Sequence, residues 1–137
     1  MTILTNPSDG VMGTARGMVD ILYDHMDAGK HTIDNPTFGL TWQLGPMRLS
    51  NGCEDDVLTI KNYDLRRASS KRAVTLRFVS TIIRGQYPMP RKKFAFLHFW
   101  APPFNLKGVL MQQHFNPYRI GSREDYWHVV DGQGELL

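Results

Sequence analysis

The sequence predicts an α+β fold, with one N-terminal helix packed on or beside an antiparallel sheet of about six strands. Two patterns support this prediction. Apolar residues recur at helical spacing near the N-terminus, and they alternate with polar residues through much of the remaining chain. The sheet could be curved or barrel-like. A length of 137 residues with 42% hydrophobic content favours one domain, residues 1–137, around one core.

The helix is predicted over residues 7–28. Asn6 is a good N-cap, and Pro7 suits the first helical position, where the missing N–H costs nothing. Gly29 is placed to end the helix. The apolar residues that share one face at helical spacing are Val11, Ala15, Met18, Val19, Leu22 and Met26.

Three glycines also recur at helical spacing in this segment, at Gly10, Gly13 and Gly17. Each costs the helix about 1 kcal/mol relative to alanine. We expect them to allow close approach of another backbone; the alternative is that the first turns are frayed.

Strands are predicted where apolar and polar residues alternate or β-branched residues cluster. The dipeptide Asn51-Gly52 indicates a tight turn. The β-branched residues of 73–84 make that segment the strongest strand candidate, and 94–100 could pair with it as a hairpin. Because 94–100 is apolar on both faces, we expect a central strand there. The predicted strands cover residues 38–44, 46–50, 57–63, 73–84, 94–100, 106–115 and 126–130.

The charges are strongly segregated along the chain, although the net charge is only +3. Residues 1–60 carry three basic and eight acidic side chains, residues 61–123 carry thirteen basic and one acidic, and residues 124–137 carry four acidic. A basic middle between acidic ends favours a polyanionic partner or association between unlike faces of copies. The alternative is that folding places basic segments beside acidic ones.

The basic middle supplies the candidate binding site. Clustered arginine and lysine side chains neutralise phosphates, and aromatic side chains among them can stack on bases. The candidate polyanion-binding residues are Arg66, Arg67, Lys71, Arg72, Arg84, Arg91, Lys92 and Lys93. The candidate stacking residues are Tyr63, Tyr87 and Tyr118, and Phe104 lies in the same segment. An anionic lipid surface could bind the same cations.

No motif in the chain indicates catalysis, a metal or a cofactor. The five histidines lack the spacing of metal ligands, and a single cysteine, Cys53, stands beside acidic residues that would not activate a thiol. Neither a phosphate-binding glycine loop nor a Gly-x-Ser-x-Gly motif occurs. We therefore expect no catalytic residue, no metal and no cofactor.

One enzyme-like alternative remains. A helix beside a curved sheet can enclose an apolar pocket, and Asp24, Trp42, His98, Trp100 and His128 could line it. The competing expectation is a place in the core for the tryptophans, Trp127 included, and a core or surface position for the two histidines.

The chain is expected to be soluble and intracellular. It has no signal peptide at its N-terminus, no apolar segment long enough to span a bilayer, and too few cysteines for an internal disulfide.

These observations favour a non-enzymatic binding and assembly module whose basic segment engages a polyanion, with nucleic acid as the first choice. A homo-oligomer of virion or matrix type is one setting that fits. The two alternatives are a small cone-shaped enzyme or ligand-binding domain with a His/Asp pocket, and a purely structural subunit that assembles with itself.

Overall fold

A computed structural model describes residues 7–49, 52–68, 70–84, 94–120 and 123–129, with side chains described outside 7–12, 118–120 and 123–125. The fold is α+β, as the sequence predicts. In chain order its elements are α1 (Pro7–Asp27), β1 (Thr32–Asp34), β2 (Phe38–Arg48), β3 (Glu54–Leu65), α2 (Lys71–Ile83), β4 (Phe96–Phe99), α3 (Leu106–Gln112), β5 (Tyr118–Ile120) and β6 (Arg123–His128).

The N-terminal helix α1 packs against α2 and the sheet through its apolar face. Gly29 follows the helix with a φ of +74°, a left-handed conformation that glycine adopts without strain, and this ends the helix. Lys30 then donates its backbone N–H to the carbonyl of His25. The α1 side chains buried in the core are Ala15, Met18, Val19, Leu22 and Tyr23.

The glycines of α1 do not serve the role expected of them. A Cβ added at Gly13 or Gly17 would meet no atom within 4 Å outside the local helix, so no other backbone lies close to them. Both instead border a shallow groove of about 220 Å³ beside Phe38. The surroundings of Gly10 lie outside the described residues.

The long strands β2 and β3 pair along their whole length as an antiparallel hairpin. The two strands predicted over 38–44 and 46–50 are therefore one continuous strand, and the strand predicted over 57–63 is longer. Gly52 has a φ of +86°, which suits the predicted turn; Asn51 lies outside the described residues. One irregularity interrupts the ladder, because Trp42 pairs with Ile60 and Thr41 with Asn62.

The strand predicted over 73–84 is wrong, because residues 71–83 form helix α2. Ser70 is its N-cap, and the Ser70 Oγ accepts a hydrogen bond from the Ala73 N–H at 3.2 Å. Val74, Phe78 and Ile82 follow at intervals of four residues and are buried in the core shared with α1. This packing outweighs the β propensity of the segment.

The sheet has the order β1-β2-β3-β4-β6-β5. Its strand pairs are antiparallel except for β3 and β4, which run parallel and are connected through α2. A hairpin between 73–84 and 94–100 is therefore ruled out. In the described part of the chain β1 and β5 are edges, so the sheet is open and not a barrel. All four residues of β4 are buried between β3 and β6, as expected of a central strand.

The strand predicted over 106–115 is also wrong. Residues 106–112 form the short helix α3, whose N-cap Asn105 accepts a hydrogen bond from the Gly108 N–H through its side-chain oxygen. Leu106 and Leu110 lie one turn apart and are fully buried, which explains the helix. His114 follows with a φ of +68° and turns the chain away.

The main core lies between the helices and one face of the sheet, here called the helix-covered face. A second, smaller cluster contains Val57, Ala95, Phe96 and Tyr126 on the opposite face. Within the described residues, no helix has the length and apolar character needed to cross a membrane.

Candidate functional site

A pocket of about 420 Å³ opens where β3 ends, α2 begins and the loop after β4 passes nearby. It combines aromatic and basic side chains, and it is called the aromatic-basic pocket below. The residues that line it are Tyr63, Asp64, Leu65, Lys71, Arg72, Thr75, Pro103 and Phe104.

Tyr63 forms the rigid inner wall of the pocket. Its ring lies 6.0 Å from both Phe78 and Phe99, stacked on the first and edge-on to the second. Its hydroxyl is hydrogen-bonded to the Thr75 Oγ1 at 2.6 Å. Burial raises the pKa of Tyr63 to about 12, and the Thr75 hydrogen bond offsets part of that increase. Tyr63 is therefore a neutral phenol at physiological pH, held in one orientation.

Lys71 and Arg72 form the basic rim. Both lie in the first turn of α2 and are exposed. The guanidinium of Arg72 lies 5.0 Å from the centre of the Phe104 ring, within the range of a cation–π interaction. Neither side chain forms an ion pair within the described residues, where the ion pairs involve Arg66. The rim consequently presents two cations beside a half-buried aromatic ring.

Arg66 has a structural role, which the sequence did not predict. Its guanidinium donates hydrogen bonds to the carboxylates of Asp34 and Asp64 and, at 2.7 Å, to the carbonyl of Asn35. These two carboxylates raise the pKa of Arg66. The side chain thus connects the end of β3 to the turn before β2, and its guanidinium is already paired with two carboxylates of the protein.

The other predicted cations do not all share the rim of this pocket. Arg67 is exposed, and its backbone N–H binds the carbonyl of Thr37. Arg84 caps the far end of α2, about 20 Å from Lys71 at 1.5 Å per residue, and lies 4.9 Å from the Phe115 ring.

Several predicted site residues fall outside this description. Arg91, Lys92, Lys93 and Tyr87 lie outside the described residues. Tyr118 lies in strand β5, but its side chain is not among those described. Of the predicted stacking residues, Tyr63 is therefore the one whose side chain position in the pocket is known.

The alternative His/Asp pocket is not assembled by these residues. Trp42 is buried in the main core, whereas His98 stacks on Tyr126 with ring centres 4.3 Å apart, on the opposite face of the sheet. His128 lies on that opposite face as well, edge-on to Phe96. Asp24 is exposed on α1. Among the described residues, no group of three or more His, Cys, Asp or Glu is arranged to hold a metal ion.

Trp100 differs from the other two tryptophans, and the core position expected for it is wrong. Trp42 and Trp127 are buried, but Trp100 is 58% exposed just after β4. The signal available in the sequence was Pro102-Pro103, which ends the strand there. Phe104 also lines the pocket. The only indication of this in the sequence was that Phe104 lies in the basic segment.

Comparisons with protein-family models, curated proteins and solved structures gave no match to this chain.

Proposed function

We propose that this chain is a non-enzymatic binding module that engages nucleic acid through the aromatic-basic pocket. The observation that carries the proposal is the placement of Lys71 and Arg72 beside the rings of Tyr63 and Phe104. Cations bind phosphates by neutralising them, and aromatic rings bind bases by stacking. A polyanion that carries unpaired bases can use both kinds of contact at once.

An anionic lipid is a weaker fit to the same pocket. Lipid headgroups are attracted by the number of cations near the membrane surface and do not require a recessed aromatic wall. Here the cations surround an opening whose inner wall is the fixed ring of Tyr63. This arrangement favours a ligand that has a planar group close to its charge.

The pocket favours single-stranded over duplex nucleic acid. Its volume of about 420 Å³ is in the range of pockets that hold a small planar group. Bases in a duplex are stacked on each other and cannot enter such a pocket, whereas unpaired bases can turn outward onto protein rings. We therefore expect duplex binding to be weaker and to depend only on charge.

Binding at the pocket can be tested by fluorescence anisotropy with a labelled oligothymidylate between about 50 and 200 mM salt. The wild-type protein should bind at low salt and weaken as salt rises. The double variant Lys71→Gln/Arg72→Gln should bind more weakly, and its salt slope should fall by about 0.7 for each phosphate that the variant no longer neutralises. Absent binding at low salt, or binding indifferent to salt, would overturn the proposal.

A matched control separates the pocket from net charge. Arg16→Gln/Lys30→Gln also removes one arginine and one lysine, and both residues are exposed away from the pocket. It should retain nearly wild-type affinity for the strand. Equal reductions of affinity in the two double variants would mean that binding follows total charge and does not use the pocket.

The aromatic contribution needs its own variant. Phe104→Leu keeps an apolar side chain but removes the ring, so strand affinity should fall by roughly 5- to 150-fold, the range of one base–ring stack. Heparin has anionic groups without bases, and its affinity should hardly change. An equal effect on both ligands would contradict base stacking.

A second candidate function is head-to-tail assembly of copies, as in an oligomeric virion or matrix-type component. The specific observation is that β3 starts with exposed Glu54, Asp55 and Asp56 and leads at its other end to Arg67, Lys71 and Arg72. The twelve residues of β3 extend about 36 Å at 3.3 Å per residue. Unlike charges at opposite ends suit a heterologous contact between copies.

A further inference from the structure

Trp100 is an exposed indole held in a defined position. It is 58% exposed, yet its backbone N–H donates to the carbonyl of Ile60 at 2.9 Å, which fixes the start of the loop to β3. The Nζ of Lys61 lies 4.9 Å from the centre of the Trp100 ring. A large aromatic surface exposed to solvent beside a cation needs an explanation other than core packing.

The parallel register of β3 and β4 explains why Lys61 can reach this ring, because Ile60 pairs with Phe99 and the next residues along are Lys61 and Trp100. Ile60 pairs with Trp42 and Asn62 with Thr41, so Lys61 is the extra residue of a β-bulge in β3. A bulge re-aims the side chain of the extra residue and changes which face the following residues occupy. Tyr63, beyond the bulge, then packs toward Phe78 on α2. The parallel register thus places Lys61 at Trp100, and the bulge places Tyr63 in the pocket.

One short loop connects the Trp100–Lys61 pair to the aromatic-basic pocket. Trp100 and Phe104 are the two ends of one short loop, and their Cα atoms are at most about 14 Å apart because four residues extend no further. The Arg72 guanidinium lies over the Phe104 ring, just as the Lys61 ammonium lies over the Trp100 ring. The loop therefore has a ring with a cation at each end.

We propose that Trp100 and Lys61 form a second stacking subsite for the single strand that occupies the pocket. The inference rests on the proposed function, since it assigns the path of the same ligand. One base enters the pocket between Tyr63 and Phe104, and a neighbouring base of the strand stacks on the exposed face of Trp100. Lys61 contacts a phosphate between or beside them. In this arrangement the protein binds unpaired nucleic acid through two aromatic rings, with cations beside each ring to contact the phosphates.

The test measures binding of a short and a long oligothymidylate, the short one filling the pocket alone. Trp100→Ala should weaken the long strand by about tenfold, within the range for one base–ring stack, and should leave the short strand unchanged. Trp100→Phe should restore most of the affinity because it restores a ring. Met111→Ala removes another exposed apolar side chain, away from this loop, and should change neither affinity.

A fluorescence readout reports on Trp100 itself. Because Trp42 and Trp127 are buried, quenching of tryptophan emission by the long strand should disappear in Trp100→Phe. Unchanged long-strand affinity in Trp100→Ala, with the pocket double variant still impaired, would overturn the subsite and leave the proposed function standing. If the wild-type protein binds neither strand, the proposed function fails and the subsite with it.

Discussion

Arg66 shows how a residue's role can depend on a contact distant in sequence. Its partner Asp34 is 32 positions away, in the acidic first part of the chain, so nothing near Arg66 in the sequence indicates the pairing. By contrast, Asp64 is only two positions away. The idea that basic and acidic segments interleave on folding is correct for this residue, while Lys71 and Arg72 fit the binding interpretation.

The raised pKa of Tyr63 gives a prediction at alkaline pH. Below pH 10 the phenol is protonated in both the folded and unfolded chain; between about 10 and 12 the unfolded chain releases the proton first. The free energy of unfolding should therefore fall over this interval. Urea unfolding of the wild type and of Tyr63→Phe checks this, and the fall should be shallower in the variant. Identical pH dependence in both proteins would contradict the burial of this hydroxyl.

Gly17 is a position where a small substitution should stabilise the protein. The added methyl of Gly17→Ala would meet no atom within 4 Å outside the local helix, and alanine favours the helix over glycine by about 1 kcal/mol. Thermal unfolding should shift upward. Gly29→Ala is the contrasting variant, since Gly29 has a φ of +74° and alanine there should lower the midpoint. A lower midpoint for Gly17→Ala would contradict this account, because it would mean that the added methyl group meets other atoms at this face of α1.

At the scale of elements, α1 and the turn between β2 and β3 could be predicted because independent signals agree there. In α1 the apolar stripe, Pro7 and Gly29 all point to one helix, and in the hairpin alternation agrees with the turn signal at Gly52. In α2 the signals conflict: β-branched content favours a strand, whereas the four-residue spacing of Val74, Phe78 and Ile82 favours a helix. Packing against α1 makes this segment a helix, and that tertiary contact cannot be inferred from the propensities of the segment alone.

The error in α2 also changed the expected geometry of the basic residues. The sequence predicts Lys71 and Arg72 just before a strand over 73–84, but they lie in the first turn of α2. Lys71 and Arg72 meet Tyr63 only because the helix starts where β3 ends. The sequence offers Tyr63, Lys71 and Arg72 as candidates, but it does not show that they lie together beside Thr75 and Pro103.

The N-cap of α2 positions the basic rim and gives a prediction for this element. Ser70→Ala removes the hydrogen bond to the Ala73 N–H and should lower the free energy of unfolding by about 1 kcal/mol. Ser70→Asp keeps an acceptor at the cap and should stay close to the wild type. Chemical denaturation measures both. Equal stability of all three proteins would mean that the cap does not hold the start of α2.

At the scale of the whole molecule, the segregated charges produce an acidic and a basic end of β3. If copies associate through these ends, light scattering should show oligomers at low salt that dissociate as salt screens the contact. Glu54→Gln/Asp55→Asn should abolish them without changing affinity for a single strand. Association that persists at high salt, or that survives this variant, would contradict head-to-tail assembly.

The central claim is that single-stranded nucleic acid occupies the aromatic-basic pocket and the adjacent loop. Ultraviolet crosslinking of the wild-type protein to a photoreactive single strand, followed by identification of the crosslinked peptides, tests it most directly. We predict crosslinks at Tyr63, Trp100 and Phe104 that an unlabelled single strand competes away and that Lys71→Gln/Arg72→Gln reduces. No competed crosslink, or crosslinks confined to α1 or to the Arg84–Phe115 end of α2, would contradict it.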